Sequence, residues 1–338
     1  THASSSAASD VYKRQMMEWT DLHCRYFLRL ISKYTVLYTE MISADSVIFG
    51  PRQKLLNFNA EELPCILQLG GSNPQRLAQA AKFGEDYGYS QINLNIGCPS
   101  NRVQNGTFGA CLMKDPKLVA DCVKSIKDDC QIPVTIKCRI GVDQMDEEKG
   151  LDDFIDEVSA ENVDVFIIHA RIAILNGLTP KQNREIPPLK YERVAALKKR
   201  RPDLKIIING GITSITQGLD LQKRYGLDGF MIGREAYKNP YILNSVDKDV
   251  FNKEIKTKSR YQIAMKMADY IDHYMKYKDG NVHSIIRHIL GLYNSLPGAK
   301  YWRQELSENA RFAKNGDVLR FATENIEKLI NKEKSVLV

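Results

Sequence analysis

The sequence predicts an α/β protein, a (β/α)8 barrel of the TIM type followed by an all-helical C-terminal domain. Three observations predict it. Short β-branched runs alternate with amphipathic stretches through most of the chain, glycine turns close several of those runs, and beyond about Lys253 the apolar period is helical alone. With 338 residues, 43% of them hydrophobic, the chain can fill one large barrel and a small accessory domain.

Seven runs read as strands: Tyr34 to Glu40, Cys65 to Leu69, Gln91 to Asn95, Val134 to Arg139, Val165 to Ala170, Lys205 to Asn209 and Gly229 to Ile232. Between them Pro74 to Tyr87, Pro116 to Asp128, Gly150 to Ala160 and Tyr191 to Lys199 carry helical periodicity, the crossover that parallel strands require. A closed barrel of this type wants eight strands, so one is lacking. It should precede Met16, yet Thr1 to Ser9 is rich in Ser and Ala, and Val11-Tyr12-Lys13-Arg14-Gln15 reads as too polar for a barrel core. The first barrel strand is therefore expected to be atypical or missing, and residues 1–15 to be a low-complexity leader, disordered or foreign to the fold. Its Ser/Ala content and few acids also match an organellar transit peptide; otherwise the chain is expected in the cytoplasm.

After the last strand, Asp247 to Lys258 is charged and poor in large apolar residues, as linkers are. Ile263, Met267, Ile271 and Tyr274 then share one helix face, and Ile285, Ile286, Ile289 and Tyr293 the next. The expected domains are a leader over 1–15, a barrel over 16–250 and a helical domain over 251–338.

Composition narrows the function. No run of about 18 apolar residues is present, so no membrane partner is expected. Seven cysteines with no C-x-x-C pair fit neither a disulfide framework nor a zinc ribbon, and no metal is expected. The net charge of +7 is uneven: residues 251–338 carry 16 Lys and Arg against 10 Asp and Glu. Such a tail is either a solvated helical surface or a footprint for a polyanion such as RNA.

The chemistry-bearing residues lie where strands end, the face on which barrel active sites form. Asn95-Ile96-Gly97-Cys98-Pro99-Ser100 places a thiol on a tight turn. A free thiol, with pKa about 8.5, is mostly protonated at neutral pH and can give a proton to carbon, although most free cysteines only fill space. Asn209-Gly210-Gly211 and Gly233-Arg234 are glycine turns after consecutive strands, which either merely turn the chain or present N–H groups to a phosphate. Lys137 and Arg139, two apart on one strand, share a face, and inside a barrel such charge implies an anionic ligand. Gln68 and His169 end two other strands and complete the ring.

Together with Asp21-Leu22-His23-Cys24-Arg25-Tyr26-Phe27, Gln68-Leu69-Gly70-Gly71, Arg102 to Gly106, Phe166 to Arg171, Asn183 to Pro188 and Gly233 to Tyr237, these motifs resemble the tRNA-dihydrouridine synthases, most closely their bacterial-type A subfamily. The resemblance runs from about Met17 into the tail. It implies an FMN-dependent TIM barrel that reduces the C5–C6 double bond of the D-loop uridine at position 20 or 20a of tRNA, with NADPH reducing the flavin. It further implies that Cys98 protonates C5 while the flavin gives hydride to C6, and that Asn95 holds the base. Met17, Gln68, Lys137, His169, Asn209, Gly210, Gly211, Gly233 and Arg234 would bind FMN, and Lys181, Arg184, Lys300 and Arg303 would hold tRNA, the last pair around Trp302. Lys300 stands where the subfamily suggests arginine, and lysine lacks the bidentate fork. Only Met16-Met17 resembles the family's first flavin-touching turn. A monomer is expected. Two other readings remain open: a tRNA-binding chaperone without catalysis, and an FMN oxidoreductase of free pyrimidines.

Overall fold

The computed structural model describes residues 10–16, 19–100, 103, 106–146, 148–278 and 280–336. Eight parallel strands form one sheet: β1 (Asp10–Lys13), β2 (Leu37–Ser43), β3 (Cys65–Gly70), β4 (Gln91–Ile96), β5 (Val134–Arg139), β6 (Val165–His169), β7 (Lys205–Asn209) and β8 (Gly229–Ile232). Their order is β1-β8-β7-β6-β5-β4-β3-β2. The two ends of that order meet, because Tyr12 bridges Val36. There the Lys13 N–H donates to the Val36 carbonyl and the Val36 N–H to the Val11 carbonyl, each at 3.0 Å. The sheet is thereby a near-closed barrel.

The expectation of an atypical or missing first strand is corrected. β1 is short but present, inside the segment read as a leader, and it pairs with β8 from Asp10↔Gly229 to Lys13↔Ile232. Polarity misled the reading because a backbone ladder to β8 and a bridge to Val36, not a long apolar run, hold these four residues. Tyr12 supplies the apolar part: it joins Tyr38, Ile66, Ile167, Ile207 and Met231 in a buried cluster, its ring centroid 6.0 Å from that of Tyr38. Lys13, also buried, donates its ammonium to the Arg14 carbonyl at 3.0 Å. The next strand begins later than read, at Leu37, and its register shifts between Tyr38 and Met41.

Residues from strands that are not neighbours meet in the Tyr12 cluster, so those side chains fill the barrel interior. Two residues further along β3, β6 and β7, on the same face by the strand period of two, stand Gln68, His169 and Asn209. The interior is thus layered, apolar below and polar at the C-terminal ends of the strands. Helices cover the outside where sequence periodicity places them. Pro74–Asp86 is capped by the Asn73 side chain and Pro116–Asp129 by Asp115, each with proline in its first turn. In Lys149–Ser159, Leu151, Phe154, Ile155 and Val158 face inward fully buried, each contributing about 1.5–3 kcal/mol.

The chain divides into two compact units, one holding the chain up to Thr20 with Val36–Gly233, the other Asp21–Thr35 with Arg234–Val338. The helix Leu22–Ile31 and residues 234–250, read from sequence with the barrel, group with the tail helices. Two carboxylates explain it, Asp247 buried and Asp21 half-buried. Asp247 accepts from the Ser32 hydroxyl at 2.6 Å and the N–H groups of Lys33 and Tyr34 at 2.7 and 3.1 Å, so the segment read as a linker begins with an anchor. Asp21 caps Leu22–Ile31 through the Cys24 N–H and meets Arg287 at 2.7 Å and His288 at 3.0 Å. Burial works to raise its pKa, but His288, the Cys24 N–H and Arg287 outweigh that and hold the carboxyl well below the usual range. The helical core forms where predicted, with Ile263, Met267, Ile271, Ile285 and Ile289 fully buried.

Candidate active site

β4 delivers the cysteine turn. Asn95, the last inward residue of the strand, accepts the N–H groups of Gly97 at 3.1 Å and Cys98 at 3.0 Å on its side-chain oxygen, folding the chain back at once. A Cβ on Gly97 would stand 3.2 Å from the Cys138 carbonyl carbon, so the turn lies tight on β5. Cys98 is half-buried, its Sγ 3.5 Å from the Ser100 hydroxyl. Cys24, Cys65, Cys122, Cys130 and Cys138 are buried, and burial pushes the Cys122 and Cys138 thiols up to about 12. The cysteine singled out from sequence is therefore one of two with partial access to solvent, the other being Cys111.

Register brings the predicted polar residues together. Gln68 lies opposite Asn93, Asn95 opposite Lys137, and Arg139, His169 and Asn209 follow in one row across β5, β6 and β7. Lys137 is buried, 3% exposed. Burial first, then the charges of Arg14 and Arg139, hold its pKa well below that of an ordinary lysine. Burial and the cations Arg139, Arg14 and Lys137 likewise keep His169 neutral at physiological pH. Its Nδ1 is buried without a hydrogen-bond partner among the described residues.

Arg139 departs from the expectation that it shares an anion with Lys137. Its long side chain reaches past the strand end, donating Nε–H to the Gly97 carbonyl at 3.1 Å and a terminal N–H to the carbonyls of Ile172 at 3.2 Å and Asn183 at 3.0 Å. Burial and the nearby Arg14 push its pKa down to about 9. The residue ties the cysteine turn to the loop after β6. Arg14 is the cation that sequence reading missed, because the strand that delivers it was not recognised.

The glycine turns form as read. Asn209 donates its amide to the Met231 carbonyl at 2.8 Å, leaving its side-chain oxygen buried and unpartnered among the described residues. Gly210 and Gly211 adopt φ of +119° and +68°, and a Cβ on Gly210 would come 2.8 Å from the His169 ring. Gly233 follows β8, and a Cβ there would stand 3.4 Å from the Arg14 side chain. Arg234 begins the short helix Glu235–Lys238 in the other unit. A buried lysine, a neutral imidazole, an amide oxygen without a partner among the described residues and bare backbone turns fit a ligand with an anionic group and a flat hydrogen-bonding ring. A flavin nucleotide has both. Gly210→Ala should weaken flavin retention by about tenfold or more, since positive φ and the His169 contact both oppose the methyl; retention equal to the parent's in equilibrium dialysis would show that the turn does not approach the ligand.

Lys181 and Arg184 flank Asn183 in the loop after β6, Lys181 exposed and Arg184 half-buried. The Asn183 amide braces that loop, donating to the Ile174 carbonyl and accepting the Ile174 N–H, each at 2.8 Å. Lys300 and Arg303 are exposed on the helix Ala299–Asn309 of the other unit. Trp302 between them is fully buried, its ring centroid 4.6 Å from that of Tyr293 and its N–H on the Ile289 carbonyl. It is a core residue and offers no stacking face. Met17 lies outside the described residues. Among the described residues no helix is long and apolar enough to cross a membrane, and no group of three or more His, Cys, Asp or Glu could hold a metal.

Comparison with known proteins finds relatives along nearly the whole chain. The tRNA-dihydrouridine(20/20a) synthase of Vibrio parahaemolyticus is 49% identical over 319 residues, covering 94% of this chain and 96% of that one. The enzyme of that name from Shigella flexneri is 52% identical over 300 residues, 88% of this chain and 87% of that one. Among solved structures, a 2-naphthoyl-CoA reductase aligns with TM-score 0.53 at 10% identity over 70% of this chain, and a histamine dehydrogenase from Rhizobium sp. 4-9 with 0.51 at 13% over 72%. The chain spans about half of each, 50% and 46%, and at such identity the likeness shows the fold alone. The family profile described as Dihydrouridine synthase (Dus) matches residues 15–331, and the chain belongs to that family.

Proposed function

We propose that this protein is a flavoenzyme that reduces the D-loop uridine at position 20 or 20a of tRNA to 5,6-dihydrouridine, with FMN bound in the barrel mouth and NADPH as reductant. The observation that carries the reading is the half-buried Cys98 thiol, its turn fixed by Asn95 on a strand adjacent to the one that bears the buried Lys137. Relatives with the synthase name, about half identical over nearly the whole chain, support the substrate.

Gln68, Lys137, His169, Asn209, Gly210, Gly211 and Gly233 would hold the cofactor, with Met17 and Arg234 added by resemblance alone. When bound and reduced, the flavin supplies the hydride. The uracil ring is a poor acceptor unless the charge developing on it is quenched, and Cys98 meets that need by giving its proton to C5. Asn95 has one amide hydrogen on Gln68 and its oxygen on the turn, leaving its second amide hydrogen for the base. Lys137 sets a positive charge against the anionic cofactor. A uridine buried in tRNA structure must be drawn out to reach this mouth, which calls for backbone contacts elsewhere. Lys181, Arg184, Lys300 and Arg303 supply these, and the tail carries most of the net charge.

The test is the visible spectrum of the purified protein followed by dihydrouridine mapping in tRNA treated with NADPH. Stoichiometric flavin and reduction confined to positions 20 and 20a are expected. A colourless protein that takes up no added FMN, yet binds tRNA with a steep salt dependence, would replace this reading with that of a tRNA chaperone. NADPH oxidation stimulated by free uracil and not by tRNA would make it a pyrimidine reductase.

A further inference from the structure

We propose that Asn93 and Thr135, which touch neither the cysteine nor the glycine turns, are positioning residues that set the orientation of the Gln68 and Asn95 amides and through them the Cys98 turn. This rests on the reading of Cys98 as proton donor and Gln68 as a flavin contact.

Four buried side chains on three adjacent strands form an unbranched row. Thr135 donates to the Ile92 carbonyl at 3.3 Å and accepts from the Asn93 amide at 2.9 Å. Asn93 accepts from the Gln68 amide at 2.7 Å, and Gln68 accepts from the Asn95 amide at 2.8 Å. Asn95 closes the row by accepting the N–H groups of Gly97 and Cys98. Every internal link runs amide N–H to oxygen in one sense along the row.

Both ends dictate that sense independently. A backbone carbonyl can only accept, so the Thr135 hydroxyl points at Ile92 and turns a lone pair to Asn93. Backbone N–H groups can only donate, so Asn95 turns its oxygen to the cysteine turn. An amide flipped between these ends would face donor to donor on one side and acceptor to acceptor on the other, in a site where Gln68 and Asn93 are 0% exposed and water cannot relieve the mismatch. The row therefore also decides what Gln68 has left to offer a ligand: the second hydrogen of the amide nitrogen bound to Asn93 and the second lone pair of the oxygen bound by Asn95. Cys98 sits at the end of a polarity that begins at Thr135 on β5.

The test is the rate at which iodoacetamide modifies Cys98 relative to Cys111, read peptide by peptide in the purified full-length protein, together with its flavin spectrum. Cys111, also half-buried but bonded to the Phe108 carbonyl, serves as an internal reference for general loosening. Thr135→Val removes the anchor in nearly the same volume, and Asn93→Leu removes the middle of the row. Both should raise the Cys98 to Cys111 ratio by about tenfold and shift the flavin absorption band. Thr135→Ser, which keeps the hydroxyl, should restore both readouts. The inference is overturned if the ratio is unchanged in both disruptive variants, if the two cysteines accelerate together, or if the serine variant behaves like the valine one. Should the unmodified protein carry no flavin, the cofactor reading fails while the cysteine ratio still decides the row.

Discussion

Cys98→Ala should lower dihydrouridine formation by about 10²- to 10⁴-fold, the usual worth of a positioned general acid. The same variant should hold FMN and oxidise NADPH as the parent does, because the hydrogen bonds of Cys98 run to Asn95, Ser100 and the Ala110 N–H and none of them to the glycine turns. This separation gives the experiment its force. Folding is not at stake: the residue is half-buried, and its backbone N–H keeps its bond to Asn95 whatever the side chain. Single-turnover oxidation of the reduced enzyme by tRNA isolates the step. Undiminished dihydrouridine yield would remove Cys98 as the acid and leave the turn as scaffold.

Lys137→Met should act with opposite signs on stability and on binding. Without an anion the buried lysine is a liability, since burial and its neighbours Arg14 and Arg139 disfavour its charged form. An unfolded chain binds that proton up to about pH 10.4, whereas the folded, flavin-free protein releases it at a lower pH. In the window between those values the unfolded state holds more protons, so stability rises with pH. Methionine, with nearly the same shape and no charge, should remove that pH dependence and leave the flavin-free protein as stable or more so. FMN affinity should meanwhile fall about 10- to 100-fold, because a charge-assisted contact is lost. Calorimetric titration in two buffers of different ionisation heat provides a second measure: the parent should take up protons as FMN binds and restores the ammonium, and the variant should take up fewer. Equal FMN affinity in the two proteins would exclude Lys137 from the site.

Arg139 shows how a residue can be legible and its purpose not. Its spacing from Lys137 places both on one face, and β5 bears that out. The inference of a shared anion overlooked backbone carbonyls as partners for a buried guanidinium, and those of Gly97, Ile172 and Asn183 fill that role. Trp302 makes the same point in the tail: its basic neighbours suggest an RNA-facing ring, yet it fills the core beside Tyr293.

The sequence by itself determined what depends on near neighbours along the chain. The strands from Cys65 to Ile232, the helices between them, the tight turn that lifts Cys98 out of β4, and the glycines with positive φ after β7 all follow from apolar period, proline and glycine within a few residues. Tertiary structure alone decided what depends on partners far away in sequence. β1 is four residues, half of them charged, that become a strand because β8 offers a ladder on one side and Val36 a bridge on the other. Asp247 reads as part of a linker until the N–H groups of residues 33 and 34 are brought to it. Asn93 and Thr135 are ordinary strand residues until barrel closure strips them of water, and a buried polar group must then find its hydrogen bonds among whatever side chains the fold has placed beside it.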